Sequence, residues 1–218
     1  MVQDLSKISD GAVVKPAVWF LMTGAAAAAV IVCILWLDAP AALYVETWHD
    51  TPVRGVAKKL SELGNSAYYL IPAGLAALTL LRRPSAWARK AQFLFWAVAA
   101  TGIASALLKI IIGRPRPGVF IETGDWTPRF FQLASEYGSF PSGHTTTVFT
   151  AATVGILLWP RWAALFLSMA VLGGLARIGA GAHFPSDVVA GAGLGVLGTL
   201  LLWPRFRGRL HQEPPHAG

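Results

Sequence analysis

The chain has 218 residues, of which 55% are hydrophobic and 13% are charged, and its formal net charge is +7. Its mean hydropathy of +0.54 and its repeated apolar runs exclude an ordinary soluble domain and predict an all-α, polytopic membrane protein. The lysines and arginines cluster between the apolar runs, which favours orientation signals and contacts with lipid headgroups over nucleic acid as a partner. A single cysteine, Cys33, excludes an intrachain disulfide and a multi-cysteine zinc site.

Six apolar runs predict a bundle of six transmembrane helices, since a bilayer core needs about 20 residues of helix. They are residues 17–37, 64–81, 91–112, 142 or 143 to 159, 163–176 and 186–203. The sequence therefore predicts cytoplasmic tails at 1–16 and 204–218 around one membrane domain at 17–203. A signal peptide cleaved near residues 39–41 is the alternative for the first run, which is longer than the ~7–15 residues of a signal core.

Between the first two runs, residues 38–66 form an outer segment with apolar residues mostly at three- and four-residue spacing. This pattern favours an amphipathic helix lying in the membrane interface, and packing over an active site is the alternative. Farther along, Pro115 and Pro117 predict that the third helix ends near Ile112, because proline disfavours helix in the residue before it. Residues 113–143 then make the longest loop.

Three polar stretches interrupt the apolar second half, each at the end of a predicted span. They are residues 109–117 (Lys-Ile-Ile-Ile-Gly-Arg-Pro-Arg-Pro), 141–144 (Pro-Ser-Gly-His) and 177–187, which starts with Arg177. Together they supply three cations, two histidines and one carboxylate: Lys109, Arg116, Arg177, His144, His183 and Asp187. Phosphoryl transfer needs charge neutralisation, a nucleophile and a proton for the leaving oxygen. The set therefore predicts a site that moves a phosphoryl group.

The phosphate would be bound by the cations and by the start of the fourth helix. Three positive charges balance a phosphate dianion, and the arginine fork suits two phosphate oxygens at once. Ser142 is a natural N-cap, the backbone N–H groups at that helix start can hold an anion, and Gly143 lets the backbone approach closely.

His183 is the predicted nucleophile, because Asp187, four residues later, can accept a hydrogen bond from one ring nitrogen and leave the other free to attack phosphorus. His144 would protonate the leaving oxygen and then activate water. Structural alternatives remain for single residues. Lys109 can snorkel to the interface, Arg177 and Asp187 can form a buried ion pair between two spans, and Arg114 can be an orientation charge without a site role.

The pattern Lys-x6-Arg-Pro, Pro-Ser-Gly-His and Arg-x5-His-x3-Asp resembles the type 2 phosphatidic acid phosphatase family, which also includes the soluble vanadium haloperoxidases. The three motifs stand in family order over roughly the C-terminal half. The resemblance implies a lipid phosphatase that works without a metal or cofactor and forms a phosphohistidine at His183. Family substrates are phosphatidic acid, phosphatidylglycerophosphate, undecaprenyl pyrophosphate and lipid A phosphates. The third motif usually opens Ser-Arg, and here it opens Ala176-Arg177, so one hydrogen bond made by that hydroxyl is expected to be missing.

Other functions and sites are less well supported. A lipid phosphotransferase would use the same residues, whereas the membrane spans argue against a haloperoxidase and the intact His144, His183 and Asp187 argue against a non-enzymatic scaffold. Glu122 and Asp125 lie in a stretch of irregular backbone, which favours a solvated loop. His49 and Asp50 are adjacent, which is not metal-ligand spacing on a helix, so no metal site is predicted.

The lysine and arginine distribution predicts the orientation of the bundle. Six spans put ten of these residues on the side of the termini, namely Lys7, Lys15, Arg82, Arg83, Arg89, Lys90, Arg161, Arg205, Arg207 and Arg209. The other side has eight, Arg54, Lys58, Lys59, Lys109, Arg114, Arg116, Arg129 and Arg177, and only five without the motif residues Lys109, Arg116 and Arg177. The termini are therefore expected in the cytoplasm of a bacterial inner membrane, with the motifs facing the periplasm or exterior.

Overall fold

The computed structural model describes residues 16–79 and 85–210, and every regular element in them is helical. The α-helices are α1 (Pro16–Val32), α2 (Asp38–Glu46), α3 (Pro52–Ser61), α4 (Ala67–Leu78), α5 (Ala86–Ile112), α6 (Pro117–Thr123), α7 (Gly143–Leu158), α8 (Ala163–Gly179) and α9 (Pro185–Leu210). A π-helical turn, Cys33–Leu37, joins α1 to α2, and 3-10 turns occupy Glu62–Gly64, Ser135–Tyr137 and Pro160–Trp162.

Four helical stretches of the described chain are long and apolar enough to cross a membrane: Pro16–Glu46, Ala86–Thr123, Pro160–Gly179 and Pro185–Gly208. The helix α7 is a shorter apolar helix of 16 residues, and α4 has 12. The all-α membrane bundle is thus confirmed. The count of six spans stays a prediction. Residues 1–15 of the predicted tail 1–16, residues 80–84 with Arg82 and Arg83, and residues 211–218 of the predicted tail 204–218 lie outside the described residues.

The helix α7 lies at the centre of the bundle, with α5, α8 and α9 packed around it. Two glycines allow α9 to approach closely. A Cβ at Gly191 would lie 2.6 Å from the carbonyl oxygen of Ser142, and a Cβ at Gly195 would lie 2.6 Å from that of Thr146. This close contact brings the first turn of α9, which carries Asp187, beside the first turn of α7.

The predicted boundaries next to the motifs are confirmed, since α5 ends at Ile112 and α7 begins at Gly143 after the N-cap Ser142. The residue that ends α5 is Gly113, which has a φ of +58° and donates its N–H to the Lys109 carbonyl. A Cβ there would also run into the Arg129 carbonyl, so the chain needs glycine at this turn.

Other predicted boundaries are wrong. The first helix does not end at Leu37 but continues through the π-helical turn to Glu46, while α8 extends to Gly179 and α9 to Leu210. Pro40 has no N–H to donate to the preceding turn, yet the helix continues past it, and the π-helical turn Cys33–Leu37 lies within that preceding part of the helix.

The outer segment, residues 38–66, does not form a single interfacial helix. Its first part belongs to the first membrane helix, and its second part forms α3, which packs against α8. Gly64, just beyond α3, lies against His144, where an added Cβ would be 2.5 Å from the histidine Cβ. Both interpretations of this segment therefore stay open, because α3 exposes the apolar side chains of Val53, Val56 and Leu60, as a helix in the membrane interface would, while the turn after it packs against His144.

Candidate active site

All three motifs meet at one end of the bundle. The Ser142 N–H donates to the Asp187 carbonyl at 3.0 Å, which joins the second motif to the third. The Arg116 Nη1 donates to the Ala182 carbonyl at 3.2 Å, which joins the first motif to the third. The structure thus brings every predicted site residue into one region of the molecule.

Three half-buried cations, Lys109, Arg116 and Arg177, form what we call the cationic mouth. Lys109 Nζ donates to the Gly138 carbonyl at 2.6 Å, Arg116 Nε to the Ser135 carbonyl at 2.8 Å, and Arg177 Nη1 to Ser61 Oγ at 3.1 Å. Among the described residues, none of the three forms an ion pair with a carboxylate. Arg177 Nε is buried without a hydrogen-bond partner. Unneutralised charges with an unused donor favour an anion at this place.

The start of α7 contributes backbone N–H groups to the same place. The Ser142 side chain is fully buried, and its Oγ accepts from the Thr145 N–H at 3.4 Å, so the hydroxyl caps the helix, while it also accepts from Thr145 Oγ1 at 2.9 Å. Gly143 leaves space beside Lys109, because a Cβ there would be 3.6 Å from Lys109 Cε. Ser105, one turn before Lys109, has a buried Oγ without a partner and is a further polar group that sequence reasoning missed.

His183 lies in the turn between α8 and α9 and is 3% exposed. Its Nδ1 is 3.5 Å from Asp187 Oδ2, which leaves Nε2 on the far side of the ring. At this distance Nδ1 has no hydrogen-bond partner among the described residues, and contacts of this kind often tighten only when a substrate binds. Burial lowers the pKa of His183 to about 4, against the raising effect of Asp187. The imidazole is therefore neutral near pH 7 and has the lone pair that a nucleophile needs.

Asp187 is fully buried and its carboxylate is held from several sides. Oδ1 accepts from Arg114 Nη1 at 2.6 Å, and Oδ2 accepts from Ser139 Oγ at 2.6 Å and from the Phe184 N–H at 2.9 Å. The ion-pair partner of Asp187 is therefore Arg114, and the alternative of an Arg177–Asp187 pair is wrong. Arg114, left open by the sequence, is a residue of the site.

Asp38, Ser139 and Ser186 were not found by sequence reasoning. Asp38 Oδ2 accepts from Arg114 Nη2 at 2.7 Å and from Ser186 Oγ at 2.6 Å. We call Asp38, Arg114, Ser139, Ser186 and Asp187 the carboxylate network. One signal pointed to Asp38: it is the one charged residue between positions 16 and 45, and an ionisable group within a membrane segment is a functional candidate by default.

His144 is half-buried at the start of α7, beside the turn that ends in Gly64. Lys109 lies beside Gly143, the residue before His144, and Arg116 donates to the carbonyl of Ala182, the residue before His183. Both histidines therefore border the cationic mouth. Ala176 is buried beside Arg177, and the hydroxyl that Arg177 contacts comes from Ser61 of α3.

The acidic and histidine pairs outside the motifs form surface contacts. Asp125 Oδ1 accepts from the Thr127 N–H at 2.8 Å, and its Oδ2 lies 3.5 Å from Arg129. His49 Nδ1 lies 3.1 Å from Glu46. Within residues 16–79 and 85–210, no group of three or more His, Cys, Asp or Glu side chains is placed to hold a metal ion.

The model of the PAP2 superfamily matches residues 90–210, which is more than half of the chain. The chain belongs to the PAP2 superfamily. A lipid A 1-phosphatase of Rhizobium johnstonii is 34% identical over 185 residues, covering 79% of this chain and 75% of that protein. A lipid A 1-phosphatase of Rhizobium etli is 32% identical, covering 79% of this chain and 78% of that protein.

A shorter similarity extends to a putative undecaprenyl-diphosphatase of Escherichia coli, which is 35% identical over 80 residues, or 34% of this chain and 40% of that protein. No solved structure matches the chain. The family resemblance carried by the three motifs is confirmed, and this PAP2 protein is a membrane hydrolase of the phosphatase class.

Proposed function

We propose that this PAP2 protein hydrolyses a phosphate from a membrane lipid through a covalent phosphohistidine at His183. The observation that carries the proposal is the position of a buried, neutral His183 between Asp187 and the cationic mouth. A nucleophile close to three cations that have no ion-pair partner among the described residues is what a phosphate monoester needs in order to react.

In the first step, the cationic mouth holds the phosphate and His183 Nε2 attacks phosphorus. The P–N bond forms and the P–O bond to the lipid breaks. The negative charge of the bound phosphate favours the protonated form of His144, which gives its proton to the leaving oxygen. Asp187 stabilises the positive charge that develops on His183. In the second step, neutral His144 takes a proton from water, the resulting hydroxide attacks phosphorus, and the P–N bond breaks to release phosphate and His183.

Lipid A 1-phosphate is the proposed substrate, because the two lipid A 1-phosphatases align with 79% of the chain and the putative undecaprenyl-diphosphatase with 34%. An apolar cavity of about 400 Å³ extends along α7 from Val148, one turn after His144, to Trp159 at the opposite end of that helix, and provides apolar surface for a lipid chain. An envelope lipid with its phosphate at the membrane surface fits this arrangement. Phosphatidic acid, phosphatidylglycerophosphate and undecaprenyl pyrophosphate are the competing substrates.

The proposed location is the bacterial inner membrane, with the site facing the periplasm. The excess of lysine and arginine at the other end supports this orientation. Lys90, at that end, lies 4.9 Å from the Trp87 ring centroid and 5.1 Å from that of Trp159. A reporter active only outside the cytoplasm should work when fused within residues 118–135 and be silent at 84–88. The reverse pattern would overturn the orientation.

The function is tested by phosphate release from lipid A, phosphatidic acid, phosphatidylglycerophosphate and undecaprenyl pyrophosphate with purified full-length protein in EDTA. We expect the highest kcat/KM for lipid A 1-phosphate, and inhibition by vanadate, which mimics five-coordinate phosphorus. A strict requirement for an added divalent ion would contradict the metal-independent mechanism. Transfer of labelled phosphate to an acceptor lipid instead of water would assign a phosphotransferase.

A further inference from the structure

The first membrane helix carries a single carboxylate into the protein interior. Asp38 is 0% exposed, although its neighbours Leu35 and Trp36 are 62% and 64% exposed. A buried carboxylate is strongly unfavourable unless it is paired and hydrogen-bonded. The burial of Asp38 on an otherwise exposed helix therefore requires specific partners.

Those partners all belong to the active-site motifs. Asp38 Oδ1 accepts from the Ser186 N–H at 2.9 Å, and Oδ2 accepts from Ser186 Oγ at 2.6 Å and from Arg114 Nη2 at 2.7 Å. The π-helical turn before Asp38, in which its N–H donates to the Cys33 carbonyl, shifts the helical register at this point. Extra residues of this kind in helices are frequent at functional sites.

Arg114 connects Asp38 to the catalytic pair. Its Nη2 donates to Asp38 and its Nη1 donates to Asp187 Oδ1 at 2.6 Å, so one planar guanidinium lies between two carboxylates. The planar fork fixes both partners at once. Because the other oxygen of Asp187 faces His183, the orientation of the imidazole depends on the orientation of this guanidinium.

We propose that Asp38 is a positioning residue for phosphoryl transfer. Acting through Arg114, it fixes the carboxylate of Asp187 and hence the ring of His183. The proposal rests on the proposed function. It assigns a role in the chemistry to the first helix, which lies outside the residues 90–210 matched by the family model.

Charge also favours this role. In the transition state His183 gains positive charge, and Arg114 alone would neutralise Asp187. With Asp38 present, two carboxylates face one arginine, so one negative charge remains to balance the developing imidazolium. Such charges act strongly in a buried site because little solvent screens them.

The test compares Asp38→Asn with Thr101→Val in the full-length protein, using lipid A 1-phosphate. Asp38→Asn keeps the shape and replaces an acceptor by a donor that faces Arg114. We expect kcat to fall by about 10–100-fold, the size of loss seen when hydrogen-bond partners that orient metal ligands are replaced. The KM should change by less than about threefold, since the cationic mouth is intact. Thr101→Val removes a buried hydroxyl that bonds to Thr150 at 2.9 Å, away from the site, and should leave kcat unchanged.

A second variant keeps the test decisive if Asp38→Asn does not fold. Arg114→Lys retains the charge, but a single ammonium lacks the fork that reaches both carboxylates. Its kcat should also fall with KM little changed. In the double variant the loss should be smaller than the product of the single losses, because both act through one contact.

Three results would each overturn the proposal. The first is a wild-type kcat in folded Asp38→Asn, and the second is an equal loss of kcat in Thr101→Val. The third is a loss in the double variant equal to the product of the losses in Asp38→Asn and Arg114→Lys. Release of phosphate by the wild type, with none by His183→Ala, shows that the proposed function itself holds in the same assay. Failure of the wild type to act on any lipid phosphate would overturn the proposed function, and the role of Asp38 with it.

Discussion

Arg114 and Arg116 stand two residues apart in the first motif, yet they belong to two different regions. Arg114 is 9% exposed and lies in the carboxylate network between Asp38 and Asp187. Arg116 lies half-buried in the cationic mouth, where its described partners are backbone carbonyls and no carboxylate neutralises it. Similar side chains therefore serve opposite purposes. Arg114 holds the carboxylate of Asp187, whereas the charge of Arg116 is not paired with a carboxylate among the described residues.

This difference predicts which kinetic constant, kcat or KM, a substitution in each region should change. In the proposed mechanism the network acts on the reacting histidine, so changes there should lower kcat. The mouth would bind phosphate in both the ground state and the transition state, so changes there should mainly raise KM. Substitutions in the two regions therefore test this division.

The largest effect is expected for His183→Ala. Without a nucleophile no phosphoenzyme can form, and turnover of a lipid phosphate should fall by at least about 10⁴-fold. His49→Ala is the matched control, because His49 is exposed and its contacts are Glu46 and Arg54. Equal activity loss in both variants, measured by phosphate release, would contradict a special role for His183.

Asp187→Asn should reduce kcat by about 10²–10⁴-fold, because the amide can neither stabilise the imidazolium nor accept all of the present hydrogen bonds. The KM should change much less than kcat. Asp125→Asn serves as control, since Asp125 lies in the outer loop and pairs with Arg129. A raised KM with a normal kcat in Asp187→Asn would mean that Asp187 acts with the cationic mouth in phosphate binding and not with the carboxylate network.

His144→Ala should show an effect that depends on the leaving group. General acid catalysis supplies about 10²–10⁴-fold, and a lipid alkoxide needs the proton far more than nitrophenolate does. Burst-phase phosphoenzyme formation should therefore slow much more with a lipid monophosphate than with p-nitrophenyl phosphate. Equal slowing with both substrates would mean that His144 mainly binds phosphate.

Lys109→Gln tests the mouth and should have the smallest effect on kcat. Loss of one charge-assisted hydrogen bond, worth about 1.5–3 kcal/mol, should raise KM for lipid phosphate by about 10–100-fold. Lys58→Gln on α3 is the control, because Lys58 is exposed. A Lys109→Gln enzyme with normal KM and reduced kcat would remove the distinction between the two regions.

The helical class and the motif residues could be predicted from the sequence, because apolar runs and fixed residue spacings are local features of the chain. It could not assign Arg114, because its partner Asp38 lies 76 residues away on another helix. The end of the first helix was misplaced for a related reason. Asp38 and the residues to Glu46 continue the helix, and Asp38 is held by contacts with Ser186 and Arg114 that no local pattern shows. Likewise, the hydroxyl beside Arg177 comes from Ser61, 116 residues away.

The central claim is that His183 accepts the phosphoryl group while the carboxylate network holds it in place. Rapid quenching of the purified protein with lipid labelled in the phosphate tests this claim most directly, followed by acid and base treatment of the denatured protein. The account predicts a label that is base-stable and acid-labile, located at position 183 by peptide mapping, and absent from His183→Ala. Undiminished label in His183→Ala, or a label mapped to another residue, would contradict it.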